Sequence, residues 1–402
     1  MDRVILHCDL NCFYASVELL SRPELRDVPT AVCGDPQSRH GIILAKNEPA
    51  KQFGVQTAET IWQAKKKCPD LVLLPPHHDL YHAYSRKVNA VYDEYTDLVE
   101  PFGIDESWLD VTHTLHLFGG DARGLADSLR QRLKRELGLT LSVGVSFNKV
   151  FAKLGSDYKK PDATTVISRE NWKAMVWPLP VGDLLYVGSA ARKILKQYGI
   201  DTIGQLAACK PEMLETLMGK MGLQLHAYAN GLDREPVHSR YEAEPVKSVG
   251  NGTTFPRDLT TREQIQGGIA MLADSVASRL RRAELYAGGI QVTMRDPQFR
   301  DRSRQRQFSA PTHLIRDLTG SAMELVDALW KPPSPVRALT VTAIHLVPEG
   351  SAYEQVDLFS PAPRRDKQEK LEGAMERIRK KYGTDAIAFG AARPEKEEDP
   401  LP

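Results

Sequence analysis

Three acidic side chains in the N-terminal part of the chain are spaced in a way that could hold metal ions. Asp9 closes a predicted strand over residues 3–9, and Asp105 lies next to Glu106 in the segment Phe-Gly-Ile-Asp-Glu-Ser-Trp-Leu-Asp-Val. Neighbouring side chains on a strand point to opposite faces, so this pair can serve one site only if a turn over residues 103–107 bends the backbone. Mg²⁺ binds hard oxygen ligands, and three carboxylates from two separated strands suit two such ions. The predicted chemistry is an in-line displacement at phosphorus.

The same residues also have an ordinary structural interpretation. An Asp-Glu pair in a turn is usually part of a solvated loop, and an Asp at the end of a strand usually caps the helix that follows. The neighbouring motifs must therefore decide between the two interpretations.

The elements that would position these carboxylates alternate without a regular βαβ repeat, which predicts an α+β fold. The predicted strands cover residues 3–9, 100–112 (interrupted by a turn at Gly103), 139–145, 248–255, 287–294 and 337–347. The predicted helices cover residues 47–53, 58–67, 80–96 and 262–284, and residues 177–231 are helical and loop-rich. A polar stretch with two prolines, residues 234–247, predicts a linker before a second, smaller α+β module.

The composition is that of a globular chain and excludes several classes of protein. The chain has 402 residues, enough for two to four domains, and 42% of them are hydrophobic. No apolar run is long enough to cross a bilayer, and we expect neither a secretory signal nor a transit peptide. Five scattered cysteines without a Cys-x-x-Cys pair argue against a disulfide framework and a zinc site. We therefore expect a cytoplasmic protein with no membrane partner. The net charge of +1 gives no argument for a nucleic-acid partner.

Three segments carry a much more specific pattern. They read Cys-Asp-Leu-Asn-Cys-Phe-Tyr-Ala-Ser-Val-Glu over residues 8–18, Ile-Asp-Glu-Ser-Trp-Leu-Asp-Val over residues 104–111, and Ser-Val-Gly-Val-Ser-Phe-Asn-Lys-Val-Phe-Ala-Lys over residues 142–153, followed by Lys159-Lys160-Pro161. In this order and spacing they resemble the motifs of Y-family DNA polymerases, most closely the bacterial DNA polymerase IV branch. The resemblance runs from residue 4 to about residue 350.

The resemblance implies a multidomain right-hand polymerase that copies damaged templates with low fidelity. Its partners would be primer–template DNA and deoxynucleoside triphosphates, and we expect a monomer. The implied domains are a palm (residues 1–10 and 79–165), fingers (11–78), a helical thumb (166–233), a linker (234–247), a little finger (248–350), and a C-terminal region (351–402) with a clamp-binding segment, a helix and an acidic tail.

For the active site, the resemblance implies two Mg²⁺ ions held by Asp9, Asp105 and Glu106, with the carbonyl of Leu10 as a further ligand. It also implies that the adjacent aromatic residues line the incoming nucleotide. Phe13 would pack, and Tyr14 would lie beneath the sugar and exclude a ribose 2′-hydroxyl. The alternative is that Tyr14 is simply a core aromatic residue on the same helix.

The segment expected to contact the triphosphate departs from the family pattern. It reads Ala-Lys-Asn-Glu-Pro-Ala-Lys over residues 45–51, with Glu48 at the position of a Tyr and Lys51 at the position of an Arg. Lys51 keeps the positive charge but loses the bidentate fork of an arginine. A carboxylate beside a triphosphate repels it, so either Glu48 points away or Lys46 and Lys51 compensate. Lys160 matches a phosphate-binding lysine of the family.

Two segments are candidates for DNA contacts. Gly188 and Ser189 open a helix in what resembles a degenerate helix-hairpin-helix, whose backbone N–H groups would meet a phosphate. The alternative is an ordinary helical hairpin. Several arginines lie close together in one connection of the second module. Such a basic loop either contacts the phosphate backbone of the DNA duplex or is simply exposed to solvent. They are Arg295, Arg300, Arg302, Arg304 and Arg306.

The segment Gln-Val-Asp-Leu-Phe over residues 355–359 resembles the peptide by which bacterial polymerases dock on the sliding clamp. Gln355, Leu358 and Phe359 would make the contacts, with the two apolar side chains in a pocket. In many relatives this peptide is the extreme C-terminus, whereas here a predicted helix over residues 366–382 follows it.

Two other functions compete with the polymerase. One is a catalytically silent scaffold that binds the clamp and DNA, which Glu48 weakly favours and the intact carboxylates oppose. The other is a palm-like enzyme that makes cyclic nucleotides, which the resemblance over residues 166–350 opposes. No Gly-x-x-x-x-Gly-Lys-Ser/Thr loop is present, so an ATPase lacks support.

Overall fold

The computed structural model describes residues 2–36, 41–242, 245–351, 363–383 and 386–387, with residues 363–366 described by their backbone alone. The chain divides into two compact units, Met1–Ala243 and Glu244–Pro402. Within the described residues, no helix has both the length and the apolar character needed to cross a membrane.

The first unit alternates strands and helices, as its sequence predicts. Its strands are β1 (Ile5–Leu10), β2 (Thr30–Cys33), β3 (Ile43–Lys46), β4 (Val72–Leu74), β5 (Val99–Pro101), β6 (Glu106–Asp110), β7 (Leu141–Ser146) and β8 (Thr164–Ile167). Its helices are α1 (Phe13–Leu20), α2 (Glu48–Gln52), α3 (Ile61–Lys67), α4 (His78–Tyr92), α5 (Ala122–Leu137), α6 (Lys149–Tyr158), α7 (Trp172–Val176), α8 (Ser189–Gln197), α9 (Ile203–Ala208), α10 (Pro211–Met218) and α11 (Lys220–Ala229).

A five-stranded sheet in the order β5-β6-β1-β7-β8 carries the candidate site. The central strand β1 is antiparallel to both neighbours and is buried along its whole length. Because side chains alternate across a strand, Leu6, Cys8 and Leu10 enter the hydrophobic core on one face. His7 and Asp9 therefore lie on the opposite face, where α6 packs against β1.

Two glycines bring α6 unusually close to this sheet. A Cβ added to Gly144 of β7 would lie 1.9 Å from the carbonyl oxygen of Ala152 and 2.4 Å from the backbone nitrogen of Ser156, both in α6. A Cβ on Gly155 would lie 3.0 Å from the Cα of Gly144. No side chain larger than hydrogen fits at Gly144, so the glycine sets the depth at which α6 lies on the sheet.

A smaller sheet has the strand order β3-β2-β4. Its strand β3 leads directly into α2, the helix that contains Glu48 and Lys51. Asn47 caps α2, because its side-chain oxygen accepts a hydrogen bond from the backbone N–H of Ala50. The same Asn47 oxygen also accepts a hydrogen bond from the backbone N–H of Thr30, the first residue of β2, at 3.0 Å, which ties the start of α2 to β2. The cap thus fixes the direction in which α2 leaves the sheet.

The second unit is a single sheet with helices on one face. Its elements are β9 (Ser248–Leu259), α12 (Arg262–Arg282), β10 (Leu285–Arg295), β11 (Asp301–Thr312), α13 (Ile315–Leu329), β12 (Val336–Pro348) and α14 (Pro363–Tyr382). The sheet order is β11-β10-β12-β9, and all pairs are antiparallel. The apolar faces of α12 and α13 form one core with Ile290, Val292 and Met294 of β10.

The C-terminal helix α14 is fastened to these two helices by buried polar contacts. Glu372 is fully buried, and its carboxylate accepts hydrogen bonds from the backbone N–H of Ile315 and from Arg281 at 2.7 Å. It therefore satisfies the first turn of α13, where the N-cap residue Leu314 has no capping side chain. Arg379 forms a bidentate pair with Asp274 of α12, with N–O distances of 2.7 and 2.8 Å.

One sequence-based expectation is corrected by this fold. The arginine-rich connection is not a loop beyond residue 300, because Arg302, Arg304 and Arg306 lie on the edge strand β11. The run Asp-Arg-Ser-Arg-Gln-Arg-Gln has no apolar residue, so no hydrophobic alternation could predict a strand, and backbone pairing with β10 provides it instead. The predicted linker is partly ordered, since Val237 is buried against Ile5 and Trp108.

Candidate metal and nucleotide site

The three predicted carboxylates meet at one end of the five-stranded sheet. Asp9 lies near the end of β1, directly opposite Glu106, the first residue of β6. The turn before β6 contains Gly103 with a φ of 91°, a conformation that favours glycine. The backbone N–H of Leu10 donates to the carbonyl of Asp105 at 3.0 Å, which holds the turn against β1. The predicted bend is therefore present, and it brings both members of the adjacent pair to the site.

The charges at this end of the sheet perturb one another. Burial, and then the negative charges of Asp9 and Glu106, raise the pKa of Asp105 to about 6. The pKa of Glu106 is lowered although burial opposes this, because the contact with His7 and the charge of Lys153 favour its ionised form. The negative charges of Asp9 and Glu106 disfavour the ionised form of Asp105, and such a place favours a bound cation.

Two lysines already provide positive charge there. Lys153 Nζ lies 2.8 Å from Glu106 Oε2 and 3.2 Å from Asp9 Oδ2. Lys160 Nζ lies 2.6 Å from Asp9 Oδ2 and 2.7 Å from Asp157 Oδ1. Lys160 is predicted from the sequence as a site residue, whereas Lys153 and Asp157 are not. The spacing of Lys153, Asp157 and Lys160 could have predicted them, because side chains three and four residues apart lie on the same face of a helix and of the turn that follows it.

The donor set fits hard divalent cations, although it is not a closed cluster. Within the residues that the structure describes, no three acidic, histidine or cysteine side chains converge tightly enough to form a ready-made metal site. The two ammonium groups lie among Asp9, Glu106 and Asp157 and hold them in ion pairs. Carboxylate oxygens that pair with ammonium groups can instead bind Mg²⁺ once substrate phosphates complete its coordination.

The predicted sugar gate is held by aromatic contacts. Tyr14 is half-buried and stacks on Tyr81, with ring centroids 4.1 Å apart and planes 13° from parallel. Tyr81 is itself fixed, because its hydroxyl donates to Glu18 at 2.5 Å and Glu18 also contacts His77 at 2.8 Å. Phe13, by contrast, is buried in the core. The two adjacent rings therefore lie in different surroundings, and the packing role of Phe13 and the gating role of Tyr14 stay predictions.

The residues expected to contact the triphosphate form two groups. Lys160 is at the carboxylates, whereas Lys46 and Lys51 are in the smaller sheet and α2. Lys51 Nζ pairs with Glu48 at 3.4 Å, and Glu48 also accepts a hydrogen bond from the Cys12 thiol at 3.5 Å. Glu48 therefore does not point away from the site, since Cys12 is only two residues beyond Leu10. Lys46 donates to Thr57 at 3.0 Å.

A cleft of about 290 Å³ lies between the start of α1, the start of α2 and the loop after Lys160. Its lining includes Asn11, Cys12, Glu48, Pro161 and Asp162. The loop after Lys160 is anchored there, because the backbone N–H of Asp162 donates to the side-chain oxygen of Asn11 at 2.8 Å. At the start of α1 no side chain caps the first N–H groups, which leaves them available to an anion.

The predicted DNA contacts are only partly available. Gly188 is the N-cap of α8, and no side chain accepts from the first N–H groups of that helix, which Ser189 begins.

Three of the five arginines are neutralised: Arg295 by Asp301, Arg300 by Asp296 and Arg306 by Glu324. Arg302 and Arg304 have no ion pair within the described part of the chain. They lie opposite Met294 and Val292, which places them on the helix side of the sheet. Gln355, Leu358 and Phe359 lie outside the described residues.

Comparison with known proteins identifies the family. Residues 8–157 match the model of the impB/mucB/samB family, and residues 246–358 match the model of its C-terminal domain. The chain is 47% identical to DNA polymerase IV of Acetivibrio thermocellus over 97% of both chains. It is 39% identical to DNA polymerase IV 1 of Bacillus subtilis over 98% of this chain and 94% of that protein.

A solved structure shares the fold. The Y-family DNA polymerase chimera Dbh-Dpo4(243-245)-Dbh matches with a TM-score of 0.76 and 22% identity, covering 86% of this chain and 99% of the chimera. The family models, the full-length relatives and the shared fold agree, and the chain therefore belongs to the Y-family DNA polymerases, in their DNA polymerase IV branch.

Proposed function

We propose that this chain, a template-directed polymerase of translesion DNA synthesis, performs nucleotidyl transfer at Asp9, Asp105 and Glu106. Primer–template DNA and deoxynucleoside triphosphates are its substrates, and divalent cations are required. The observation that carries the residue assignment is the meeting of the three carboxylates, which come from the end of β1, the start of β6 and the turn before it.

The carboxylates and the carbonyl of Leu10 would hold two Mg²⁺ ions. Bound there, such ions lower the pKa of the primer 3′-hydroxyl and neutralise the oxygens of the displaced pyrophosphate. Lys160, together with Lys51 and Lys46, would attract the triphosphate. The Tyr14 ring, stacked on Tyr81, would close the space that a ribose 2′-hydroxyl needs.

The remaining contacts are inferred from charge and from uncapped backbone groups. We infer that the first N–H groups of α8, at Gly188 and Ser189, meet a DNA phosphate. Arg302 and Arg304 are the best-placed arginines for the duplex backbone, because the others are already paired. We also propose that Gln355, Leu358 and Phe359 bind the bacterial sliding clamp, and that the protein acts as a monomer in the cytoplasm.

The test is extension of a labelled primer with Mg²⁺ and four deoxynucleotides, using the wild type, Asp105→Asn and the control Asp110→Asn. Metal ions stabilise such a transition state by several kcal/mol, so Asp105→Asn should lower the rate by at least about a thousandfold while DNA binding persists. Asp110, the last residue of β6, accepts hydrogen bonds from Thr112 and should tolerate the change. Synthesis by Asp105→Asn at the wild-type rate would refute the assignment. DNA binding without extension by any of the proteins would favour the silent scaffold.

A further inference from the structure

The side chain of Arg130, in the middle of α5, reaches the loop that follows Lys160. One nitrogen of its guanidinium donates to the Asp162 carboxylate at 2.7 Å and also to the backbone carbonyl of Asp162. Nε donates to the carbonyl of Leu141, the first residue of β7, at 3.1 Å. Asp127, one turn earlier on α5, accepts from the guanidinium at 2.9 Å. Arg130 therefore joins a helix, a strand and the loop through one planar group.

Asp162 is also held from the side of α1, by Asn11. The side-chain oxygen of Asn11 accepts from the backbone N–H of Asp162 at 2.8 Å, and its side-chain nitrogen donates to Ser142 Oγ at 2.9 Å. Asn11 is buried and both ends of its amide are occupied, so its side chain is fixed toward the loop. The Asp162 carboxylate also pairs with Lys134 of α5 at 3.0 Å. The N–H, the carbonyl and the carboxylate of Asp162 thus all have partners outside the loop.

The backbone of Asp162 has a conformation that needs such support. Its φ is 50°, in the left-handed region, which residues with a side chain seldom adopt, although Asp does so more readily than most. Residues persist in this region where the surrounding contacts determine their conformation. Only Pro161 separates Asp162 from Lys160, and its ring fixes its own φ. The contacts of Asp162 therefore limit the positions that Lys160 can take.

The direct contacts of Lys160 are not sufficient to hold it during the reaction. Its Nζ pairs with Asp9 at 2.6 Å and with Asp157 at 2.7 Å. Asp9 is a ligand in the proposed metal site, so cations bound there compete with Lys160 for the Asp9 oxygens. The contacts of Arg130 with Asp162 involve none of the proposed ligands, and they persist when cations bind.

We propose that Arg130 is a positioning residue, which together with Asn11 fixes Asp162 and thereby holds the Lys160 ammonium where it meets the triphosphate of the incoming nucleotide. The proposal rests on the assignment of Lys160 to triphosphate binding. Arginine suits this role because its planar fork reaches several acceptors at once, whereas the ammonium of a lysine is a single point charge.

The experiment measures KM for the deoxynucleotide and kcat in the addition of one nucleotide to a primer–template. The proteins are the wild type, Arg130→Ala, Lys160→Ala and the double variant. A lost contact with a charged group lowers affinity by about tenfold, so Arg130→Ala should raise KM by about tenfold with a smaller change in kcat. Because Arg130 acts through Lys160, adding Arg130→Ala to Lys160→Ala should change KM by less than about twofold.

Two further variants separate positioning from charge and from general effects on α5. Arg132→Ala is the matched control, because Arg132 lies on the same helix but pairs with Glu94 at 2.8 Å and Glu136 at 3.1 Å, and its KM should match the wild type. Arg130→Lys keeps the charge without the fork, so it should raise KM by a smaller factor, and only where Lys160 is present.

The reference variant Lys160→Ala separates failure of this proposal from failure of the proposed function. Unchanged KM in Lys160→Ala would remove Lys160 from triphosphate binding. A raised KM in Lys160→Ala but a wild-type KM in Arg130→Ala would overturn the role of Arg130 alone. An equal rise from Arg130→Ala with and without Lys160 would also overturn it, since Arg130 would then act directly or through stability. If Arg130→Ala does not fold, Arg130→Lys decides by the same comparison, and a wild-type KM in that variant contradicts the proposal.

Discussion

At the scale of single residues, the surroundings assign different tasks to side chains that the sequence presents as neighbours. Phe13 and Tyr14 are adjacent aromatic residues, yet one is buried in the core and the other is half-buried against Tyr81. Asp105 and Glu106 are adjacent acids, yet their pKa values shift in opposite directions. In both pairs, the difference arises from the contacts of each side chain and not from its type.

Replacing Tyr14 with Ala should admit ribonucleotides. The stacked ring restricts the space at the sugar, so its removal should lower discrimination between deoxyribonucleotides and ribonucleotides by at least about tenfold, the range for a changed pocket contact. The measurement is the ratio of kcat/KM for the two nucleotides. Tyr14→Phe is the control and should retain discrimination, because the ring and not the hydroxyl fills the space. Unchanged selectivity in Tyr14→Ala would place the gate elsewhere.

Replacing Glu48 with Gln should strengthen nucleotide binding. The carboxylate lies beside the cleft and repels a triphosphate, and a like charge at a few ångströms costs on the order of 1 kcal/mol or more. KM for the deoxynucleotide should therefore fall about fivefold, with kcat nearly unchanged. Glu212→Gln, on an exposed face of α10, is the control. A raised KM in Glu48→Gln would instead mean that the carboxylate organises Lys51 for binding.

At the scale of elements, strands and helices with a regular apolar pattern can be predicted from the sequence, whereas strands without apolar residues cannot. The β1 strand and the helix that follows it have a clear apolar pattern, and the turn at Gly103 is visible in the motif. The edge strand β11 has no apolar alternation, and only its pairing with β10 reveals it. Likewise, motifs pointed to Asp9, Asp105 and Glu106, but the contact between Asn11 and Asp162 joins residues 151 positions apart, which no local pattern encodes.

The attachment of α14 to α13 through Glu372 should depend on pH. Burial raises the pKa of Glu372, so between its ordinary value of about 4.3 and the raised value the folded state binds a proton more tightly than the unfolded state. The contribution of this group to stability is therefore full below pH 4.3 and declines as the pH rises through the folded-state pKa. Glu372→Gln should flatten this part of the pH profile in urea unfolding.

Removing the whole Glu372 side chain, which deletes the contact itself, should also destabilise the second unit. Glu372→Ala leaves Arg281 and the start of α13 without their buried partner, which typically costs roughly 3–5 kcal/mol. Hydrogen exchange at the Ile315 amide should then accelerate. Lys370→Ala, on the exposed side of α14, is the control. Slow exchange at Ile315 in Glu372→Ala would show that α14 is not what protects α13.

At the scale of the whole molecule, the candidate metal ligands and the arginine-rich strand belong to different units of the chain. The carboxylates and the cleft belong to the unit Met1–Ala243, whereas the arginine-bearing sheet belongs to Glu244–Pro402. The candidate clamp peptide follows that sheet in the sequence and precedes α14. Variants in one part should therefore change one property of synthesis and leave the others intact.

Replacing Gln355, Leu358 and Phe359 together with Ala should abolish stimulation by the sliding clamp. The two apolar side chains would supply most of the contact with a clamp pocket, so their loss removes the docking without touching the active site. The measurement is primer extension with and without clamp. Extension without clamp is the internal control and should match the wild type. An equal loss in both conditions would indicate a structural role for the segment.

The row of arginines on β11 has a consequence for solubility. An edge strand presents unpaired backbone N–H and C=O groups, which invite pairing with a second chain and aggregation. Arg302 and Arg304, which have no ion pair within the described residues, alternate along this edge, so two copies that approached each other edge to edge would bring like charges together. The arginines that prevent prediction of this strand from hydrophobic alternation therefore also oppose pairing of its edge with the sheet of a second molecule.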